Sequence, residues 1–71
     1  MNEKKIIPIT TEYIKLGQFL KVTGTISSGS DAKFFLSENK ILVNGETENR
    51  RGKKLYKNYT VEINGTIFEI G

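Results

Sequence analysis

SGSDAKFFLSENKILVNGETENRRGKKL, residues 28–55, holds a capped helix, a hairpin and the start of a dense run of cations. Ser28, followed three residues later by Asp31, has the spacing of a capping box. Ala32, Phe35 and Leu36 then fall on one helical face. Ile41, Leu42 and Val43 lead into Asn44-Gly45, a pair that tolerates the positive φ angles of a type I′ turn. Beyond the turn, residues 50–57 read RRGKKLYK, five cations in eight positions with no acid. The pattern predicts a helix N-terminus and a basic loop held side by side on a rigid hairpin.

Seventy-one residues make one domain, expected to span 1–71. A chain this short buries only about 60% of its unfolded surface, so its core must be efficient. It has no cysteine to staple it. The expected core is Phe19, Leu20, Ile26, Phe35, Leu36, Ile41, Val43, Val61, Ile63 and Phe68. No apolar run approaches the ~18 residues of a membrane span, and the N-terminus lacks the apolar core of a signal peptide. Absence of cysteine is compatible with the cytoplasm, the expected location. Net charge is only +3. Residues 50–57 hold more positive charge than that, which leaves the rest of the chain net acidic. A local patch of this kind is the footprint expected for a polyanion partner. An isolated charge run is more often a solvated loop, but here a helix N-terminus and a hairpin flank it.

Residues 4–9, KKIIPI, read as a strand with a proline in it, which assigns it to a sheet edge. Residues 59–63 and 66–70 form a hairpin around Asn64-Gly65, and the N-terminal strand is expected to add to it. The first helix covers about residues 15–23. It places Leu16, Phe19 and Leu20 on one face and ends at Gly24. Gly17 inside it costs about 1 kcal/mol relative to alanine, so close helix contact is expected there, with close approach of a ligand as the alternative. The second helix spans about 29–39. The order is strand, helix, helix, several short strands. It predicts an α+β fold with two helices packed on a small twisted antiparallel sheet that includes residues 41–43 and 59–63.

Leu16, Phe19-Leu20, Gly24, Ser28, Ser30, Ala32-Lys33, Leu36, Val43-Asn44-Gly45, Arg50-Arg51-Gly52 and Leu55 together resemble the S4 RNA-binding domain over a core of about residues 15–63. With the added N-terminal edge strand and C-terminal arm, the chain is similar to the small stand-alone bacterial S4 proteins of the YaaA type. The resemblance implies an S4-like (alpha-L) fold, binding to ribosomal RNA and a role in large-subunit assembly. The chain departs from the family where an Arg-x-Asp often opens the first helix, since Lys15 and Gly17 stand there. It also has Asn58 and Tyr59 where Gly-Asp often precedes the last core strand. Asparagine tolerates a left-handed turn, so that turn survives.

Arg50, Arg51, Lys53 and Lys54 are the first candidates for phosphate contacts, since arginine can make two parallel charge-assisted bonds. Gly52 among them lets the backbone turn or come close to a ligand. At the second helix, Ser28 and Ser30 flank free backbone amides that favour an anion, with Lys33 one turn in. The competing reading is ordinary capping, which also explains Asp31. Tyr56 and Tyr59 are candidates for stacking on bases. Phe34 either stacks on an unpaired base or is covered by the N-terminal strand, and the second reading is preferred because an exposed phenylalanine is a solubility liability. Lys21 extends the positive surface, although Lys15 and Lys21, six apart, do not share a tight helical stripe. There is no histidine or cysteine. Glu46 and Glu48 share a strand face and read as hairpin surface. No catalytic residue, metal site or cofactor is expected, and the chain is not read as an enzyme. The leading function is binding of structured RNA, with ribosomal RNA or ribosomal particles as the expected partner, through phosphate and shape contacts. No membrane or small-molecule substrate is expected. The alternative is a protein-interaction module whose edge strand and basic loop hold an acidic partner.

Overall fold

The computed structural model describes residues 4–71. Its elements run β1 (Lys4–Ile7), β2 (Tyr13–Lys15), α1 (Leu16–Val22), α2 (Asp31–Glu38), β3 (Ile41–Val43), β4 (Glu46–Thr47), β5 (Lys54–Tyr56), β6 (Thr60–Ile63) and β7 (Thr66–Ile70). The expected α+β arrangement of two helices and a small sheet is present. Both predicted Asn-Gly turns form. Asn44 and Gly45 have φ of 53° and 85°, and Asn64 and Gly65 have 48° and 89°. Positive φ at both central residues matches the twist of the flanking strands and fixes the register of each hairpin.

The main sheet has the order β1-β7-β6-β3-β4. Three of its four pairings are antiparallel, but β1 runs parallel to β7, with Lys4 opposite Ile67 and Ile7 opposite Ile70. The sheet is therefore mixed rather than antiparallel. Parallel neighbours need a long crossover, and here nearly the whole domain serves as that connection. The edge position of the N-terminal strand is as predicted. Pro8 falls just past it, where its missing N–H removes no ladder bond. A second, two-stranded sheet pairs β2 with β5. It was not foreseen, because two three-residue strands carry almost no periodic signal.

Helix α2 begins later than its expected cap. Asp31 N–H donates to Ser28 O (3.1 Å) and Ala32 N–H to Gly29 O (3.2 Å), so a tight turn precedes the helix. Ser30 becomes the N-cap, with helical backbone angles and no side-chain capping bond. The capping box does not form. Ser27 Oγ donates to Asp31 Oδ2 at 3.2 Å, and the Ser28 and Ser30 hydroxyls bond each other at 3.0 Å.

The core lies between the helices and one sheet face. Leu16, Phe19 and Leu20 of α1, Ala32 and Leu36 of α2, and Ile41, Val43, Val61, Ile63, Phe68 and Ile70 of the sheet meet there, with Leu55 from β5. Phe19 packs edge-on against Phe68, with ring centroids 5.6 Å apart. Each such fully buried side chain contributes about 1.5–3 kcal/mol. Ile26 and Phe35 are only partly buried against this cluster. Phe34 overturns the expectation of burial, being 75% exposed. The inward face of α2 is taken by Ala32 and Leu36, and β1 lies at the sheet edge against β7 rather than over this helix.

Candidate functional site

The basic loop between β4 and β5 is fastened to the start of α1. Leu16 N–H donates to Lys53 O and Gly17 N–H to Arg51 O, both at 2.8 Å. Lys15, the N-cap of α1, makes no side-chain capping bond. Carbonyls of the loop therefore satisfy amides that a helix start leaves orphaned. With those carbonyls turned inward, Arg50, Arg51 and Lys54 are exposed and Lys53 is half-buried. Gly17 makes the contact possible. A Cβ at this position would lie 3.3 Å from Arg51 Cβ, 3.4 Å from Arg51 O and 3.5 Å from Ala32 Cβ. The glycine expected to mark a close approach serves the loop and the second helix together.

The loop forms a ridge between two open grooves, both bordered by Gly52. One is lined by Arg50, Lys53, Lys54, Tyr56 and Tyr59. The other is lined by Lys15, Gln18, Lys21, Gly29 and Arg51, with Gly17 at its floor. Lys15 and Lys21 thus share a groove, although six residues separate them. The helical argument against this fails because Lys15 stands in an extended conformation ahead of the helix. Gly29 brings the entry turn of α2 to the second groove, with half-buried Ser28 and exposed Ser30 on either side of it in the chain. Lys33 is exposed on α2 and lines neither groove.

Arg50 does not stand free. Its Nε donates to Glu48 Oε2 at 2.9 Å and its Nη2 to Glu48 Oε1 at 3.3 Å. The Arg50 backbone N–H adds a bond to Oε2 at 3.1 Å. These bonds hold the Glu48 carboxyl below the usual glutamate range, against the opposing effect of partial burial. They raise Arg50 in return. Glu48 is not plain hairpin surface: its side chain is 12% exposed and partners the first cation of the loop.

Sequence reasoning also missed Tyr13 and Lys15 as parts of the site. The β2–β5 register sets Tyr13 opposite Tyr56 and Lys15 opposite Lys54. Tyr13 and Tyr56 are 5.8 Å apart between ring centroids, Tyr56 and Tyr59 5.6 Å. Lys54 Nζ sits 4.9 Å from the Tyr13 ring centroid, close enough for a cation–π contact. Like charges directly opposite on paired strands are destabilising, so the Lys15–Lys54 pair is a cost that a bound anion would offset. The available signal was the matching Tyr-x-Lys and Lys-x-Tyr patterns, YIK and KLY, each with an apolar centre. Among the described residues no group of three or more acidic side chains is gathered to hold a metal ion. None of the described helices is long and apolar enough to cross a membrane.

Over 59 residues the chain is 59% identical to the "Probable ribosome maturation protein RlbA" of Bacillus subtilis (strain 168), covering 83% of each chain. The S4 domain matches residues 7–71, which extends the expected core of 15–63 to include the end of β1 and all of β7. The family model thus spans both helices, the basic loop and the Val-Asn-Gly hairpin, and the chain belongs to the S4 domain family of RNA-binding modules.

Proposed function

We propose that residues 1–71 act as one non-catalytic unit that binds structured ribosomal RNA in the cytoplasm, during assembly of the large subunit. The observation that carries the proposal is the ridge: a cationic loop whose backbone is spent on α1 and whose side chains flank two grooves. Such a surface is preorganised for phosphates, and preorganisation lowers the ordering cost of binding. Arg51, Lys53 and Lys54 make the main phosphate contacts, with Lys21 and Lys15 along the second groove. Arg50 lines the first groove but is held by Glu48, and it reaches phosphate only where that pair opens. Ser28 and Ser30 offer hydroxyls and backbone amides beside Gly29, and Lys33 adds a peripheral charge. Tyr56 supplies an aromatic surface against a base or sugar. The name of the RlbA relative, a ribosome maturation protein, supports the assembly role. The alternative reading as a module for acidic proteins draws on β1, which does stand at the sheet edge.

Crosslinking in cells, followed by sequencing of the bound RNA, tests the proposal. Ribosomal RNA should dominate, and replacing Arg50, Arg51, Lys53 and Lys54 by alanine should abolish the crosslink while circular dichroism stays unchanged. A salt series separates the two readings. Phosphate contacts give a log-linear loss of affinity with salt, whereas strand pairing along β1 does not. Crosslinks that survive the quadruple substitution would place the RNA surface elsewhere.

A further inference from the structure

Helix α2 carries a second surface that the ridge does not use. Ala32 faces Gly17, within contact distance of a Cβ placed there. Asp31, Phe34 and Glu38, spaced three and four apart, form a stripe about half a turn further round the helix. Phe34 is 75% exposed, and behind it Ile26 and Phe35 are half-buried against the core. These three side chains and the two acids line one open groove, and no lysine or arginine borders it. Asp31 accepts only from the Ser27 hydroxyl, and neither acid has a cationic partner among the described residues.

We propose that this groove docks a basic polypeptide segment, seating an apolar side chain against Phe34, Phe35 and Ile26 while its lysines or arginines meet Asp31 and Glu38. The proposal does not depend on the ridge. Charge selects the occupant. Two carboxylates flanking the aromatic ring repel a phosphate backbone, which argues against Phe34 stacking on a nucleotide. A second copy docked in the same way would bring Asp31 and Glu38 against an identical acidic pair. A cationic segment satisfies both carboxylates and covers the ring, and complementary charge of this kind sets partner choice more than raw affinity.

The test is an amide-shift titration of the isotope-labelled full chain with a synthetic amidated peptide. The peptide carries two adjacent leucines between two pairs of lysines. Shifts should map to residues 25–27 and 31–39 and leave the ridge unmoved. Phe34→Ser should weaken binding about tenfold or more, as loss of a central aromatic anchor does. The double variant Asp31→Asn/Glu38→Gln should weaken it several-fold and flatten its salt dependence. Neither change should alter RNA affinity, and the core amide spectrum reports that both variants fold. A peptide with glutamate for lysine, or serine for leucine, should produce no shifts. Equal binding of the glutamate peptide, shifts outside the groove, or unchanged affinity in Phe34→Ser would overturn the proposal. So would loss of RNA affinity in Phe34→Ser, which makes the ring an RNA contact. Self-association of the wild type that Phe34→Ser abolishes would assign the groove to a second copy instead.

Discussion

Glu48 and Arg50 are two residues apart, and their side chains close a two-pronged pair beside the ridge. Glu48 is depressed in the folded state, chiefly by the Arg50 hydrogen bond. The stability it contributes is therefore complete above the ordinary glutamate value of 4.5 and drains away as pH falls through the depressed one. Glu48→Gln should remove that acid limb, which thermal melts between neutral and strongly acidic pH would reveal. The same substitution frees Arg50 for RNA. Its log-affinity slope against log salt should steepen by roughly 0.7–0.9, one additional phosphate, in a binding series at neutral pH. If the slope is unchanged, Arg50 does not reach phosphate even when released. Gly17 sets the opposite constraint. Valine there would drive atoms into Arg51 and Ala32, where a bare Cβ already sits at 3.3–3.5 Å. We expect a loss of about 1–3 kcal/mol by overpacking, read from denaturant midpoints. RNA affinity should fall further than stability predicts, because the ridge itself is displaced.

Among the elements, β1 is the simplest to test. Ile7 and Ile9 are half-buried against the core, and Gly71 N–H and Ile7 O bond at 2.8 Å. Removing residues 1–9 should cost about 2 kcal/mol, or roughly 8–16 °C of melting temperature for a domain this size, while the ridge persists. An unchanged melting temperature would make β1 a tail. The two grooves can be weighed against each other. Lys15→Ala/Lys21→Ala and Lys53→Ala/Lys54→Ala should each flatten the RNA salt slope by about 1.4–1.8, whereas Arg50→Ala should scarcely move it. Equal slopes in all three variants would dissolve the two-groove description. The elements also show what the sequence could and could not reveal. Asn44-Gly45 and Asn64-Gly65 announced their hairpins because only a few residues accept those φ angles. Leu16, Phe19 and Leu20 announced a helix face because three apolar residues repeat at its period. Strand β2 went unseen, since Tyr13-Ile14-Lys15 is too short to alternate visibly, and with it went Tyr13 and Lys15 as site residues. The Ser28 cap failed for another reason. A serine-rich turn offers several competing local hydrogen bonds, and Ser27, Ser28 and Ser30 settled on ones the capping-box pattern does not describe.

At the scale of the whole molecule, charge separates where the sequence only suggested a cluster. Cations gather on the ridge beside α1, and Asp31 and Glu38 lie on the outward stripe of α2. The separation depends on long-range packing. The ridge is held by α1, α1 is held by Phe19 against Phe68, and β1 is held by β7. That chain of dependence has a meaning for synthesis. Translation delivers roughly 5–20 residues per second, and Lys4 must wait for Ile67 before its strand has a neighbour. Until β7 has been made, the nascent chain carries the positive charge of residues 50–57 without the Phe19–Phe68 contact behind α1. The residues that line the two grooves run no further than Tyr59, so they are made before Phe68, the partner that steadies α1 beneath them.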